Sequence, residues 1–403
     1  MGFLKKIFAK REGEELPVFY SCEKYDEDER LEDVDIAMIY SSRNDGKSFS
    51  VLYDRCLKRN VEFGEKFVYL RQIDEDFKKG RAQQHFDGIN NSTSDKNIKS
   101  LTGGKWEFVY YWNSKYYWAK IDEETGKTIK SEEEIGYCQS LSSWFHNKST
   151  NYSHIGTIFF DEFIQKSEGL YLYEEEKAFK NTLSNIIRRN ENPNLRVYMV
   201  GNTLNPLANP YWEEMGLMED IQAQEPGTIL KYKIGRWGLI VSCELAEVAE
   251  KKDVVNKWYS WNDTDGFSVM TESKWDLNFF PCLPEWFEYK KENIKDMFFI
   301  DYKHNIVQCE IIRDKGTHED EFGNKTPHDV LFIYCHRKTS EIKNDKKIVF
   351  CNYDTLKKNE INNPYVSQNP FVQNVLWFFK NNLVRYQDNW TGNVVNTYLQ
   401  SCK

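Results

Sequence analysis

The sequence has little of what marks a secreted or membrane-embedded protein. Its nine cysteines are scattered, odd in number and without a CxxC pair, which argues against a disulfide framework or a zinc ribbon. No apolar run approaches the roughly 18 residues of a membrane-spanning helix. The basic start MGFLKKIFAKREGEE has an apolar stretch too short for a signal peptide. We therefore expect reduced thiols and a cytoplasmic location, without a membrane partner.

Positive charge is also scarce. The 54 Lys and Arg residues are outnumbered by 63 Asp and Glu residues, so the formal net charge is −9. The overall field cannot attract nucleic acid, and any such contact needs local basic patches. With only 21 Gly and 10 Pro but 15% aromatic residues, the chain is neither collagen-like nor broadly disordered. Its 403 residues suit two or three folded domains.

The order of predicted elements indicates an α/β fold. In the first half strands alternate with helices, as in a central, mostly parallel sheet flanked by helices. The segment WEFVYYWNSKYYWAK predicts a β-hairpin that turns at Asn113-Ser114, within an antiparallel insertion near residues 100–130. We place a first domain at residues 1–245, a helical and polar linker at 246–283, and a second α/β domain at 284–403.

A phosphate-binding loop follows the first apolar strand, IAMIY. The segment SSRNDGKS matches G-x-x-x-x-G-K-[ST] except that Ser41 replaces the first Gly. Gly46 lets backbone N–H groups surround phosphate oxygens, Lys47 reaches the β- and γ-phosphates, and the Ser48 hydroxyl binds Mg²⁺. A solvated loop is the alternative, but the position between a strand and a helix favours a site for ATP and Mg²⁺. The predicted nucleotide-binding residues are Ser42, Arg43, Asn44, Asp45, Gly46, Lys47 and Ser48.

Two further strands end in polar residues. The run TIFF is followed by Asp161 and Glu162, which predicts that Asp161 holds Mg²⁺ and that Glu162 polarises the attacking water. Simple termination of a strand by acids is the alternative. The strand LRVYMV ends in Gly201-Asn202-Thr203, so Asn202 could hydrogen-bond the γ-phosphate or could only form a turn.

Three arginines are candidates for the nucleotide site. Arg188 and Arg189 end a predicted helix, where one of them could act as an arginine finger on a neighbouring subunit's nucleotide, with Arg189 slightly preferred. Cations in the last turn of a helix are also favoured by the helix dipole alone. Arg71, at the end of FVYLR, belongs either to the nucleotide rim or to a surface salt bridge.

The motifs together resemble the DNA encapsidation ATPases of phi29-like podoviruses. The resemblance rests on YSSRNDGKS, EKFVYLR, IGYCQSLSSW, TIFFDEFIQKSE and RVYMVGNTLNPLANPYW, and it covers about residues 15 to 245. It implies a P-loop ATPase of the ASCE type that drives double-stranded DNA into a prohead, as a pentameric ring at the portal. A scaffolding RNA is a possible further partner. The expected location is the host cytoplasm, in transient contact with the prohead and not in the mature virion.

The resemblance also implies roles for individual residues. It makes Lys47 and Ser48 the phosphate and Mg²⁺ ligands, Asp161 the Walker B acid and Glu162 the catalytic base. Asn202 becomes the coupling position, and Arg188 or Arg189 the finger that acts in trans. Ser41 and Ser42 depart from the family because relatives have more Gly in this loop. Candidate DNA contacts, which could equally be solvated surface, are Lys78, Lys79, Arg81, Lys96 and Lys99.

The second domain resembles the RNase H-like nuclease of larger packaging motors in its predicted architecture. Such a nuclease needs clustered carboxylates for two metal ions. Asp301 lies on the first predicted strand, but the strand VLFIY continues into Cys335-His336-Arg337 and not into an acid, and Asp388 follows the last long helix. We therefore predict a vestigial domain without nuclease activity.

Two other functions share the same motifs. A helicase or a DNA-transfer motor would also use Lys47, Asp161 and Glu162, but a helicase would follow single strands and separate duplexes. A virion ring component could bind nucleotide without hydrolysing it.

Overall fold

The computed structural model forms two compact units. One contains Met1–Gln165 and Tyr171–Asp276, and the other contains Lys166–Leu170 and Leu277–Lys403. The residues that the structure describes are 4–8, 17, 19–144, 152–166, 170–188, 190–248, 280–284, 287–303, 305–319, 325–338, 349–351 and 363–402.

The first unit is built on one large sheet. Six neighbouring strands are parallel, in the order β11-β2-β9-β8-β3-β7, and antiparallel strands extend the sheet at both ends. The strands are β1 (Leu4–Phe8), β2 (Ile36–Ser41), β3 (Lys66–Arg71), β4 (Phe108–Trp112), β5 (Lys115–Ile121), β6 (Thr128–Lys130), β7 (Gly136–Ser140), β8 (Ile155–Asp161), β9 (Arg196–Asn202), β10 (Thr228–Ile234) and β11 (Leu239–Leu245).

The central strands are apolar because both faces of the sheet are covered. Every residue of β2 is buried, and in β8 and β9 only the last residue is partly exposed. A continuous apolar run of this kind is typical of parallel strands between two layers. The helices of this unit are α1 (Lys24–Glu27), α2 (Lys47–Ser50), α3 (Lys58–Phe63), α4 (Lys79–Gln84), α5 (Asp87–Asn90), α6 (Ile98–Leu101), α7 (Glu175–Ile187), α8 (Pro210–Met215) and α9 (Met218–Gln222), with 3₁₀ turns at Asp74–Phe77 and Pro206–Ala208.

Between α2 and α3 the chain is helical without a break, but Val51–Leu57 forms a π-helix. All seven residues of this segment are buried. Ser50, the residue directly before this π-helix, accepts a hydrogen bond at its Oγ from the Cys22 N–H at 2.9 Å. The segment before β2 is thereby attached to the helix that follows the loop.

The predicted hairpin in the insertion is present. Strands β4 and β5 are antiparallel, and Asn113 and Ser114 lie between them with φ of 52° and 60°. Two successive positive φ angles define the type I′ turn that matches the twist of paired strands. The hairpin forms one end of the large sheet and pairs through β5 with β7.

The second unit contains a five-stranded mixed sheet in the order β15-β12-β13-β14-β16. The last long helix of this domain, predicted over Asn369 to Arg385, ends at Lys380 in the structure. Residues 382–385 are not helical, because the chain turns at Asn382, which has φ of 58°, and then enters a strand. The elements are β12 (Ile294–Tyr302), β13 (Asn305–Glu319), β14 (Lys325–Arg337), β15 (Val349–Cys351), β16 (Val384–Tyr386), α10 (Pro370–Lys380) and α11 (Asn389–Ser401), with a 3₁₀ turn at Lys291–Asn293.

Among the described residues, no helix combines the length and the apolar character that crossing a bilayer requires. The eight cysteines whose side chains the structure describes are all free thiols. Most of the predicted linker, residues 249–279, lies outside the described residues.

Candidate nucleotide site

The predicted site residues meet at the carboxyl edge of the parallel strands. Strands β2, β9, β8 and β3 are neighbours, so their ends bring Ser41, Asn202, Asp161 and Arg71 to one edge. This is the edge at which open α/β sheets bind ligands. A cavity of 250 Å³ opens there. It is lined by Asn44, Asp45, Gly46, Lys47, Ser48, Phe49, Asp161, Glu162, Val200, Gly201 and Asn202.

The backbone of the loop shows why the serine at position 41 is tolerated. Ser41 is the last residue of β2, whereas the residues with positive φ are Asn44 (66°) and Gly46 (87°). A side chain at position 41 therefore meets no backbone restriction of the kind that glycine relieves. Phe19 lies against Gly46, 3.4 Å from where a Cβ would stand. Serine in place of glycine at position 41 is therefore compatible with the backbone conformation of the loop.

Ser41 and its neighbours form a buried polar cluster. The Ser41 hydroxyl donates to Asp45 Oδ2 at 2.5 Å, and the Ser42 hydroxyl donates to the same oxygen at 3.0 Å. Lys47 Nζ donates to Ser41 Oγ at 2.8 Å and to the Ser42 carbonyl at 2.6 Å. Lys47 and Asp45 are only 5% and 4% exposed, whereas Arg43 and Asn44 are exposed, and of these two only Asn44 lines the cavity. The lysine is therefore held inside the loop, beside the position of a phosphate chain.

Ser48 and Asp161 are already in contact. The Ser48 hydroxyl donates to Asp161 Oδ1 at 3.0 Å, and the Tyr69 hydroxyl donates to Asp161 Oδ2 at 3.0 Å. Burial and the negative charge of Asp161 raise the pKa of Tyr69 well above its usual value. Tyr69 consequently remains a proton donor that orients the carboxylate. A hydroxyl and a carboxylate oxygen side by side are the hard ligands that Mg²⁺ prefers.

Arg71 connects three acids. Its Nη1 lies 3.2 Å from Asp161 Oδ2, its Nη2 donates to Glu162 Oε2 at 2.8 Å, and its Nε donates to Asp76 Oδ2 at 3.3 Å. Burial opposes the charge of this guanidinium, but Asp161 and the other acids raise the pKa of Arg71 above its usual value. The structure shows Arg71 in a salt-bridge network with Asp161, Glu162 and Asp76, two of which line the cavity, and a role at the nucleotide rim stays a prediction.

Glu162 and Asn202 also line the cavity. Glu162 has φ of 62°, a left-handed conformation that costs a non-glycine residue energy. Its side chain is 59% exposed at the mouth of the cavity. Asn202 ends β9 as the register partner of Ser41, and the preceding Gly201 allows Ile164 to approach. The structure therefore brings both residues together with Lys47 and Asp161.

Arg188, one of the two predicted finger arginines, does not share this edge. Arg188 is exposed at the end of α7, next to Asn190, whose side-chain amide bonds both the N–H and the C=O of Ile155 at 2.9 and 2.8 Å. Ile155 begins β8, so Arg188 lies near the amino end of a strand whose far end, about 20 Å away, bears Asp161. Within one chain Arg188 cannot reach the cavity. Arg189 lies outside the described residues.

The candidate DNA contacts are mostly occupied by acids. Lys96 Nζ lies 2.8 Å from Asp54 Oδ1, a carboxylate that is 1% exposed, and this pair has a structural role. The other described pairs are exposed and weak: Lys78 with Glu75 at 3.3 Å, Arg81 with Asp76 at 3.9 Å, and Lys99 with Glu107 at 2.9 Å. The side chain of Lys79 lies outside the described residues.

The described acids of the second unit are not arranged as a metal site. Asp301 lies in β12 as the register partner of Ile306 and Cys351. Asp388 caps α11, accepting from the Thr391 N–H at 2.7 Å, and lies 3.5 Å from Arg337 Nη2. Among the residues that can be described, no three His, Cys, Asp or Glu side chains are placed to hold a metal ion.

Two contributors were not predicted from the sequence. Tyr69 lies two residues before Arg71, and the alternation of a strand places both side chains on one face. This spacing could have indicated that Tyr69 also faces the site. Glu175 lies 13 residues after Glu162, and no local pattern distinguishes it from the other acids of its helix.

Comparison with known proteins agrees with this geometry. The family model described as Podovirus DNA encapsidation protein (Gp16) matches residues 126–225. The DNA packaging protein of Bacillus phage B103 is 28% identical over 184 residues, which cover 45% of this chain and 48% of that protein. The DNA packaging protein of Bacillus phage phi29 is 25% identical over 206 residues, covering 51% and 52%. The chain thus matches about half the length of these relatives.

A solved structure agrees over a greater length. The structure described as the bacteriophage Phi-29 viral genome packaging motor assembly aligns with a TM-score of 0.51, covering 96% of this chain and 100% of that chain at 16% identity. A likeness at this identity shows the fold. The resemblance to phi29-like encapsidation ATPases and the predicted α/β P-loop fold are confirmed.

Proposed function

We propose that this chain is the ATPase of a viral genome packaging motor, which uses ATP hydrolysis to move double-stranded DNA into a prohead. The observation that supports this most directly is the Ser48–Asp161 contact of 3.0 Å beside the buried Lys47. A loop lysine, a hydroxyl and a strand-end acid in this arrangement are the common parts of P-loop nucleotide hydrolysis. The matched family and relatives supply the biological setting.

The residues at the edge fit a Mg²⁺–ATP complex. Ser48 and Asp161 offer oxygen ligands, and Mg²⁺ held by them would neutralise charge on the phosphates. Lys47 is held 2.6 Å from a carbonyl and 2.8 Å from a hydroxyl, contacts that a phosphate oxygen can replace. Gly46 keeps its positive φ at the start of the helix, where backbone N–H groups face an anion.

Glu162 orients and polarises the attacking water in this proposal. Its carboxylate is held by Arg71 in the present structure, and it must leave this partner to face the γ-phosphate. Asn202 lies on the adjoining strand end, where its amide can hydrogen-bond the γ-phosphate or the water. Arg71 keeps the two neighbouring acids from repelling each other while the site is open.

A neighbouring subunit supplies the arginine finger. Arg188 is too far from the cavity of its own chain, and the proposal therefore needs a ring in which Arg188 or Arg189 meets the next subunit's nucleotide. Mixing Arg188→Ala chains with Lys47→Ala chains tests this, since each variant retains what the other lacks. Recovered hydrolysis in the mixture supports transfer between subunits, and its absence for both Arg188→Ala and Arg189→Ala contradicts it.

The remaining parts of the proposal concern partners and place. The chain forms a homopentamer that attaches to the portal of the prohead in the host cytoplasm, with a scaffolding RNA as a possible further component, and it leaves before the virion matures. DNA contact comes from a few cations, among them the exposed Lys78, Arg81 and Lys99, whose weak ion pairs phosphates can replace, together with Lys79. A translocase needs weak contacts because it must release DNA in every cycle.

The second unit lacks nuclease activity in this proposal. Asp388 serves as a helix cap, and an acid with that role is not free to share two metal ions with Asp301. Plasmid DNA incubated with the protein and Mn²⁺ should remain uncut. Cleavage that Asp301→Ala abolishes would contradict this part of the proposal.

The deciding experiment is steady-state ATP hydrolysis at several protein concentrations, with and without duplex DNA. Turnover that rises with protein and with duplex DNA, and that Lys47→Ala and Glu162→Gln abolish, is the expected result. Lys180→Ala, an exposed lysine of α7, is the matched control. Preference for single strands with unwinding of duplexes indicates a helicase. Nucleotide binding without turnover indicates a ring component that does not hydrolyse.

A further inference from the structure

The carboxyl group of Glu175 is buried close to the site but is not part of the cavity. Glu175 is the first residue of α7 and is 1% exposed. Its Oε2 accepts from Gln72 Nε2 at 2.5 Å and from the Leu172 N–H at 2.9 Å, and its Oε1 accepts from the Tyr211 hydroxyl at 2.7 Å. One side chain therefore joins the end of β3, the start of α7 and the start of α8.

Gln72 connects Glu175 to the acids of the site. It directly follows Arg71, whose guanidinium bonds Glu162 and Asp161. The Gln72 carbonyl also accepts from the Ser142 N–H at 3.0 Å. Because both the side chain and the backbone of Gln72 are held, the position of the Arg71 backbone is restricted.

Tyr211 provides a second connection. Its ring packs edge-on against Phe160 and Phe163 with centroid distances of 5.9 and 6.2 Å. These two phenylalanines lie immediately before and after the Asp161-Glu162 pair in the chain. The neighbouring Trp212 packs against Phe163 at 5.6 Å. The NPYW segment, residues 209–212, therefore packs against the end of β8 beside Asp161 and Glu162.

The chemistry at position 175 is costly, which argues for a specific role. Burial raises the pKa of Glu175, although hydrogen bonds from Gln72, Leu172 and Tyr211 act in the opposite direction. An apolar side chain could fill the same space without the desolvation penalty of a carboxyl group. It could not, however, accept the hydrogen bond that fixes Gln72.

On the basis of the proposed function, we propose that Glu175 is a positioning residue of the hydrolysis site. Through Gln72 it places the Arg71 guanidinium, and through Tyr211 it places the strand end that bears Glu162. Both connections act by setting the contact between Arg71 and Glu162. It touches neither nucleotide nor water, so its removal changes the chemical step and leaves nucleotide binding intact.

The first test compares Glu175→Gln with Glu176→Gln. Both remove one carboxylate from the first turn of α7, but only Glu175 has the three buried hydrogen bonds. The glutamine amide has only one acceptor oxygen, so its NH2 group must face either the Leu172 N–H or the Tyr211 hydroxyl, both of which donate to Glu175, and the junction must rearrange. We expect kcat for ATP to fall about tenfold in Glu175→Gln, while KM and the Kd for ADP match those of Glu176→Gln.

The second test asks whether Glu175 acts through Arg71. Arg71→Lys keeps the positive charge but loses the three-way contact, so it lowers kcat and leaves measurable activity. If the effects pass through Arg71, adding Glu175→Gln to Arg71→Lys lowers kcat by less than twofold further. Multiplication of the two single effects would overturn the proposal, as would an unchanged kcat in Glu175→Gln.

A third variant covers the case in which Glu175→Gln does not fold. Tyr211→Phe removes one hydroxyl and keeps the aromatic packing, and we expect it to lower kcat severalfold without changing the Kd for ADP. Unchanged kcat in this variant overturns the proposal. The outcome is distinguishable from failure of the proposed function, in which the unsubstituted protein itself does not hydrolyse ATP or Lys47→Ala leaves its turnover unchanged.

Discussion

The two edges of the parallel sheet in the first unit both bear charged residues but use them differently. At the carboxyl edge, Lys47, Asp161 and Glu162 line a cavity of 250 Å³, and Arg71 forms ion pairs with both acids. At the amino edge a larger cavity of 640 Å³ is lined by charged residues that include Arg196. Size alone would select the wrong cavity.

The difference lies in what the polar groups contact. Arg196 donates to the carbonyls of Val34, Tyr25 and Glu32 at 2.8, 2.6 and 2.6 Å, so it completes the hydrogen bonding of the chain before β2. At the carboxyl edge the hydroxyl of Ser48 and the side chain of Lys47 converge on one space. A ligand site needs convergent polar groups, and the ends of parallel strands supply them.

The largest expected effect is at the carboxyl edge. Lys47→Ala removes the cation that meets the phosphates, and we expect ATP hydrolysis to fall at least about a thousandfold, equivalent to about 4 kcal/mol. Steady-state phosphate release measures this. Arg196→Ala is the opposing control, and it should leave the KM for ATP unchanged in folded protein. A similar loss of hydrolysis in both variants would remove the distinction between the edges.

The next effect is on stability at the amino edge. Arg196→Ala leaves three backbone carbonyls without their buried donor, and we expect the free energy of unfolding to fall by about 3 kcal/mol. Denaturant unfolding followed by far-UV circular dichroism measures it. Lys233→Ala, an exposed lysine in β10, should change the unfolding free energy by less than about 0.5 kcal/mol. A small effect at Arg196 would contradict its structural role.

Ser41→Gly sharpens the description of the loop. The substitution restores the usual sequence pattern but removes the hydroxyl that bonds Asp45 and Lys47. Since Ser41 does not need positive φ, we expect unfolding free energy to fall by about 1–2 kcal/mol with less than about a threefold change in the Kd for ATP. Isothermal titration calorimetry and denaturant unfolding provide both values. A strong gain in ATP affinity would show that the serine does restrict the loop.

The smallest effect concerns the pH dependence of stability. Burial raises the pKa of Glu175 in the folded protein, so the folded state binds more protons than the unfolded state above the unfolded pKa. Stability from this group is complete below that pH and is lost as pH rises through the folded pKa. Relative to the unsubstituted protein, Glu175→Gln should therefore become more stable as pH rises above about 4.5, where the carboxyl group ionises in the unfolded chain. A constant difference in thermal unfolding midpoints would contradict the shift.

Sequence reasoning located most of the site because its elements are local. A few neighbouring residues are enough to predict each of three elements: the strand IAMIY, the loop SSRNDGKS and the acids after TIFF. Because the strands are parallel, their ends meet at one edge of the sheet. The hairpin at Asn113-Ser114 followed from the same kind of local signal. The long helix predicted after Asn369 was wrong beyond Lys380 because apolar spacing does not show where a short edge strand begins.

Some predictions depend on surroundings that the sequence does not state. Arg188 and Arg189 remain predictions as finger residues, since a finger acts between chains. The lysines proposed for DNA look alike in sequence, yet Lys96 is tied to a carboxylate that is 1% exposed, whereas Lys78 and Lys99 form exposed pairs. Only burial separates a structural cation from an available one.

The sequence by itself determined the nucleotide loop, the acidic strand end and the α/β alternation, because each depends on neighbours in the chain. The tertiary structure decided which distant side chains act on them. It brought Tyr69 and Arg71 to Asp161 and Glu162, and it placed Glu175 between Gln72 and Tyr211. Through Glu175 these contacts connect Gln72 with Tyr211, which are 211 − 72 = 139 residues apart in the chain. Only packing of the folded chain, and no local preference, can bring such groups together.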